Sequence, residues 1–276
     1  MKFSFSSNAF RNYSVGQAAA AIANAGFSGM ELMCDTPHAW PYDLLEADVD
    51  RIKKTIQANN LEIANLNAFM MCAAKDFHHP SWIEADKDFR KLRVDYTLRC
   101  IDLAAKLGVA TISTEPGGPL DGMPRDLAME IFMEELDKVV DHADNQGVTI
   151  LIEPEPGLLI ETSVEFTTFV NDFGTHRVGL NFDVGHFYCV GEDPARKIVE
   201  LKNHIRHFHL EDIPTNREHR HIALGQGGID ILEVIQQIES IGYEEFVTIE
   251  LYPYQESAPE IARQSYCFLH SLCHYA

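Results

Sequence analysis

Four side chains in the second half of the chain have the types and spacing to hold a divalent cation: Glu153, Asp183, His209 and Glu250. Each ends a short run whose residues alternate in character. In 148–153 (VTILIE), Ile150 and Ile152 share one parity, while Thr149, Leu151 and Glu153 share the other. Phe208 and Leu210 oppose His207 and His209; Val247, Ile249 and Leu251 oppose Thr248 and Glu250; Phe182 opposes Asp183. Side chains alternate faces along a strand, so each run has one aliphatic face and an opposite face that ends in a polar group. Three carboxylates and one imidazole brought together make a metal site. The oxygen-rich set suits Mn²⁺ first, or Mg²⁺, and the histidine admits Co²⁺, Zn²⁺ or Fe²⁺. Without a cation the three carboxylates repel one another, and some must bind protons. Any one of them alone is better read as a solvated or ion-paired residue. Four at matching strand ends favour the site.

The elements that must position them repeat along the whole chain. Strands are expected at 3–8, 29–35, 61–67, 109–115, 148–153, 178–183, 205–209 and 246–250. Helices are expected at 15–25, 44–59, 86–107, 127–146 and 163–173, then one opening at Pro194, one from Asp230 to Gly242, and a last over 256–273. Gly26, Gly108 and Gly147 stand where helices stop. Ser163 is read as a helix N-cap, and Pro194 sits just inside the next helix. Regular strand–helix alternation calls for a parallel sheet. Eight units favour a (β/α)8 TIM barrel, a single domain over 1–276, near the roughly 250 residues usual for that architecture. A doubly wound open sheet is the competing arrangement. In a barrel the active site lies at the carboxyl ends of the strands. The stretch 178–186 (VGLNFDVGH) fits this, a buried strand that stops at Asp183 and is followed by His186.

Composition narrows the function classes. Lys and Arg number 22 and Asp and Glu 42, a formal charge of −20. Such a chain repels phosphate backbones, and no Lys/Arg run offers a local basic groove, so nucleic-acid binding is not expected. The six cysteines are scattered without a CxxC pair, which favours reduced thiols and a cytoplasmic location. The start, MKFSFSSNAF, is too short and polar for a signal peptide, and no apolar run approaches the roughly 20 residues that span a bilayer.

The motifs LIEPEPG (151–157), LNFDVGH (180–186), HFHLED (207–212) and TIELY (248–252) resemble the xylose isomerase-like barrel superfamily. They are most similar to its sugar phosphate isomerase/epimerase group of ketose 3-epimerases, hydroxypyruvate isomerases and inosose dehydratases. The resemblance covers nearly the whole chain in strand order. It implies a metal held by Glu153, Asp183, His209 and Glu250, with Glu153 and Glu250 as catalytic groups on opposite faces of a carbohydrate-like substrate. It also implies that His186 contacts a substrate oxygen. The chemistry agrees. A cation chelating a carbonyl and the adjacent hydroxyl acidifies the carbon between them and stabilises the enediolate. One Glu removes the proton, and the other returns it to the opposite face for epimerisation or to the neighbouring carbon for isomerisation. Loss of hydroxide instead gives dehydration, the alternative reading. An endonuclease IV-like activity would need more His ligands and a basic face, and a non-catalytic metabolite-binding barrel is the remaining alternative.

Two positions depart from the ketose 3-epimerase pattern. Leu159 stands where a Glu is usual and Thr215 where an Arg is usual. A loop rich in Arg and His, Arg217 to His221, lies instead before the seventh helix. His221 is expected to reach the site, and Arg217 to grip a substrate carboxylate or phosphate, although His219 and both arginines are as simply solvated. Asp212 is expected to orient a ligand from behind, or to cap a loop. Glu115 and Asn67 are further candidates for substrate contact, with a structural salt bridge the simpler reading of Glu115. Asn8 and Glu31 sit on early strands as core-satisfying groups. His78, His79 and Trp82 are placed in a lid or wall over 69–82. His204, His270 and His274 are read as structural or solvated. The apolar run 268–273 (FLHSLC) is barrel packing or a homodimer contact.

Overall fold

The computed structural model describes residues 1–174 and 176–272. Eight parallel strands pair in sequence order and close into a barrel. They are β1 (Lys2–Ser6), β2 (Gly29–Met33), β3 (Glu62–Asn67), β4 (Thr111–Thr114), β5 (Thr149–Ile152), β6 (Val178–Asp183), β7 (Ile205–Leu210) and β8 (Phe246–Ile249). The helices between them are α1 (Val15–Ala25), α2 (Glu46–Ala58), α3 (Lys87–Leu107), α4 (Arg125–Gln146), α5 (Ser163–Phe173), α6 (Val184–Cys189), α7 (Pro194–Leu201), α8 (Ile231–Ser240) and α9 (Ala258–Leu272). This is a (β/α)8 TIM barrel, and the doubly wound alternative is set aside by the pairing of β1 with β8.

Local chemistry sets the ends of the elements. Ser14 and Gln17 form a reciprocal capping box on α1. Asp86, Asp193 and Asp230 each cap their helix through a carboxylate oxygen. Gly108 and Gly147 take left-handed backbone at the ends of α3 and α4. The expected cap at Ser163 is corrected by one residue: Thr162 caps α5, with Glu165 completing the box. β1 also ends earlier than expected. The Ser6 hydroxyl turns back to accept from the Asn8 N–H, and Ser7–Phe10 form a 3-10 turn that aims Asn8 at the mouth.

The aliphatic parity of each strand packs under the helices, as with Ile150, Ile152, Phe182, Phe208 and Val247, all fully buried. The other parity fills the barrel with hydrogen bonds rather than the branched aliphatics usual there. Asn65 Nδ2 donates to Glu31 Oε2 at 2.9 Å and to Ser113 Oγ at 3.0 Å. His207 Nε2 pairs with Thr248 Oγ1 at 2.9 Å. Across the closing seam Ser4 pairs in register with Thr248, and their hydroxyls are 2.6 Å apart.

Phe268 packs where a Cβ on Gly225 would otherwise stand, and Leu269 is buried, so these residues of the apolar C-terminal run serve the barrel. Cys273 and His274 lie outside the described residues. No helix of the described residues is long and apolar enough to cross a membrane.

His38, just beyond β2, ties that strand end to the turn after β1. Nδ1 meets Ser7 Oγ at 3.1 Å, and Nε2 meets the carbonyls of Phe10 and Tyr13 at 3.1 Å each. Burial lowers its pKa to about 4. A histidine depressed in the folded state contributes stability above its unfolded pKa, and that contribution is lost as pH falls toward 4. We therefore expect the stability gap between wild type and His38→Asn, read by urea unfolding, to be widest near pH 7. It should narrow below about pH 6.5, by up to about 1.4 kcal/mol per pH unit. A gap that does not change with pH would contradict this account.

Candidate active site

The mouth is built from strand ends. Asp183 is the last residue of β6 and lies directly beside His209 of β7. Glu153 and Glu250 each follow the last residue of their strand. The backbone ladder still holds both: Glu153 N–H donates to the Thr114 carbonyl and Glu250 N–H to that of Leu210, each at 3.2 Å. The four side chains are buried, and each offers a ligand atom within 4.8 Å of all the others. His209 Nδ1 faces Glu153 Oε1 at 2.9 Å, Glu250 Oε1 at 3.5 Å and Asp183 Oδ2 at 3.8 Å.

What turns Nδ1 inward is Glu31. Its Oε2 accepts from His209 Nε2 at 2.8 Å and lies 3.4 Å from His207 Nε2. Asn65 and Asn67 donate to the same carboxylate. A histidine whose outer nitrogen donates to a carboxylate presents the other nitrogen as a ligand. Glu31, read from sequence as a core-satisfying group, is thus the missed member of the site. The available signal was its place on the polar parity of β2.

The electrostatics fit a divalent cation. Burial opposes charge on His209, yet the carboxylates of Glu250, Glu31 and Glu153 outweigh it and hold the imidazole well above its ordinary range. Burial, reinforced by Glu153, pushes Asp183 up to about 7. Burial also pushes Glu250 well up, with His209 opposing and Glu153 and Asp183 adding to it. Asp183 Oδ2 is fully buried without a hydrogen-bond partner. Carboxylates crowded this way take up protons unless a cation neutralises them, and the donor set of three carboxylates and one imidazole suits such an ion.

Other polar groups steady the two glutamates. Asn8 Nδ2 and Asn67 Nδ2 donate to Glu250 Oε1 at 2.8 and 3.2 Å. Asn181 Nδ2 donates to Glu153 Oε2 at 2.8 Å. Above them opens a small pocket whose wall includes Asn67, Glu153, Glu155, His186, His219 and Tyr252. Phe77 packs against Phe69 and Tyr252 to form its apolar rim. His186 Nδ1 bonds the Pro154 carbonyl at 2.9 Å, and His221 Nδ1 that of Glu250 at 3.0 Å. Burial, with neighbouring histidines, keeps both imidazoles neutral, His221 at about 3.

His186, His219 and His221 gather their nitrogens within 4.8 Å of one another. The chain is therefore richer in clustered imidazoles than its sequence suggested. His219, treated as a solvated residue, lines the mouth instead. Trp82, expected in a lid or wall, is instead a fully buried core residue packed on Phe132, and its Nε1 donates to Thr114 Oγ1 at 3.0 Å.

Three expected site residues point elsewhere. Glu115 is fully buried against Arg93 at 3.3 Å, the salt-bridge alternative. Burial nonetheless raises it to about 8, against the pull of Arg93. Arg217 is exposed; it lies over the Tyr188 ring at 4.3 Å and faces a separate cleft beside α7 and α8. Asp212 is a loop cap: its carboxylate accepts from the backbone N–H groups of Ile213, Gly227 and Ile229. A Cβ at Gly227 would run into this carboxylate and the Ile213 carbonyl. Gly227→Ala is expected to cost about 1–3 kcal/mol in thermal unfolding; an unchanged melting point would show that the loop gives way freely.

Residues 19–272 match the model of a family described as xylose isomerase-like TIM barrel. An inosose dehydratase of Geobacillus thermodenitrificans is 25% identical over 274 residues, covering 89% of this chain and 83% of the relative. A fructoselysine 3-epimerase of Shigella flexneri is 24% identical over 251 residues, covering 87% of this chain and 86% of the relative. The fold also superposes on the crystal structure of the IOLI protein with a bound zinc atom, at TM-score 0.79 and 18% identity, covering 99% of this chain and 98% of that one.

Proposed function

The chain belongs to the xylose isomerase-like TIM barrel family, and we propose that it is a divalent-metal-dependent isomerase or epimerase of a small polyhydroxy carbonyl compound. The observation that carries this reading is the convergence of Glu153, Asp183, His209 and Glu250 within 4.8 Å, two of them glutamates on different strands. A divalent cation held by these four, Mn²⁺ first for its fit to oxygen donors, supplies Lewis acidity that polarises a carbonyl and its neighbouring hydroxyl and so acidifies the carbon between them. Glu153 and Glu250 are the groups that move the proton. One takes it from that carbon as a carboxylate; the other, as a carboxylic acid, returns it to the opposite face or to the adjacent carbon. Asn8 and Asn67 fix Oε1 of Glu250, and Asn181 fixes Oε2 of Glu153, so each carboxyl works from a set orientation. His186 and Asn67, in the pocket wall, contact substrate oxygens.

The likeness to fructoselysine 3-epimerase supports proton transfer as the outcome. The likeness to inosose dehydratase over 89% of the chain favours a second reading, in which the same deprotonation is followed by loss of hydroxide. Incubating metal-loaded protein with ketopentoses, ketohexoses and inososes in D₂O separates them. Epimerisation or isomerisation replaces the carbon-bound proton by deuterium in the NMR spectrum. Dehydration instead gives a new enone-type absorbance. If no substrate exchanges its proton or loses water, neither reading stands.

A further inference from the structure

Glu155 follows Glu153 by two residues, on the loop that leaves β5. Its backbone N–H donates to the Ile160 carbonyl at 3.0 Å, and its carbonyl accepts from Leu158 N–H at 3.2 Å, so the turn is fixed. The side chain is only 6% exposed and lines the mouth pocket. No hydrogen bond or ion pair to another described residue holds its carboxyl. Nε2 of His219, in the same wall, and Nε2 of His221, whose ring lies 5.7 Å from that of His219, are buried without a partner. Buried polar groups are normally satisfied, and leaving them unpaired costs free energy. The Glu155 carboxyl and the His219 nitrogen, both in the wall, look for their partners in what the pocket holds.

The cations have been kept away. In the loop 217–221, Arg217 and Arg220 are exposed while His219 and His221 turn toward the mouth. Arg93 is fully buried and bonded to the carbonyls of Pro80 and Phe69. Among the described residues, no Lys or Arg lines the pocket. Phosphate and carboxylate groups are gripped by such cations or by helix N-termini. An anion placed against Glu155 would meet carboxyls, imidazoles, Asn67 and an aromatic rim, with no side-chain cation in the wall to pair it.

We infer that this mouth selects an uncharged, hydroxyl-rich substrate end, and that Glu155 is the residue that selects it. The inference rests on the isomerase or epimerase reading above. Hydroxyls of the substrate pair with the Glu155 carboxyl and accept from, or donate to, the free imidazole nitrogens.

The test uses metal-loaded protein and matched pairs: each ketopentose or ketohexose against its own terminal phosphate. Calorimetry reads binding, and deuterium incorporation in D₂O reads turnover. The phosphate is expected to bind about a hundredfold more weakly than its neutral partner. Glu155→Gln should weaken binding of the neutral sugar and narrow the gap. Glu155→Lys should reverse the preference by about tenfold or more, provided its circular dichroism matches wild type. The wild-type comparison stands even if that variant misfolds. Phosphates binding as well as neutral sugars, or better, overturn the inference while leaving the reaction intact. Selective binding of neutral sugars without any exchange upholds the selectivity and instead removes the isomerase reading. Absence of binding by every neutral sugar overturns the inference.

Discussion

Glu250→Gln is expected to slow exchange of the substrate's carbon-bound proton by about 10²–10⁴-fold, and Glu153→Gln likewise. The substitution keeps the size of the side chain and the oxygen that accepts from Asn8 and Asn67 in Glu250, or from Asn181 in Glu153. What it removes is a group able to cycle between carboxylate and carboxylic acid. Each glutamate is also a donor in the proposed metal site, so the rates must be compared at saturating metal, with bound metal counted by elemental analysis. Asp183→Asn provides the contrast. Asp183 shares the cluster but has no proton-transfer task in the proposed reaction, so its variant should lose metal affinity first and recover part of its rate as metal is raised. Glutamine variants that exchange at the wild-type rate with full metal would remove both glutamates from the proton path.

Glu31→Ala is expected to destabilise the metal-free protein by about 3–5 kcal/mol, the usual penalty for taking one partner from a buried charged pair. Metal affinity should fall by about 10–100-fold, as it does when the carboxylate behind a ligating histidine is lost. Glu31 is fully buried and receives His209 Nε2, Asn65 Nδ2 and Asn67 Nδ2. Burial works against its charge, but His209 and His207 hold it well below the usual carboxylate range. Glu31→Gln keeps an acceptor for Nε2–H and should fall between wild type and the alanine variant. Guanidinium unfolding and competition with a chelating dye measure the two effects. If Glu31→Ala binds metal as tightly as wild type, the orientation of His209 is set elsewhere.

The parts of this molecule that repeat were legible in its sequence. Parity within 148–153, 205–210 and 246–251 separated the outward aliphatic face from the inward polar one, because a strand has only two faces. Closure was favoured by the count of eight units, although the β1–β8 pairing that completes it is encoded by no local pattern. The tetrad could be read because its members share one position relative to their strands. Glu31 shares the inward parity but sits inside β2, a level below the mouth, and only the direction of His209 Nε2 shows its purpose. In the loop 217–221 spacing carries no face rule, so Arg217 was favoured over His219 on charge alone. Packing turned them the other way. Asp212 was ambiguous for a related reason: the N–H groups it caps, on Gly227 and Ile229, are far along the chain and adjacent only once the loop folds.

The hydroxyl pair between Ser4 and Thr248 joins the first strand to the last, and Thr248 leads through His207 to Glu31 and on to His209. The two ends of the sheet are thus joined by a run of polar contacts that reaches the carboxylate behind the His209 imidazole. Whatever binds at the mouth pulls on this fastening, and anything that binds the closed form but not the open one stabilises it by mass action. Under the proposed function, cation binding and circular integrity of the sheet then become one equilibrium, and removing the cation should make the ring easier to open.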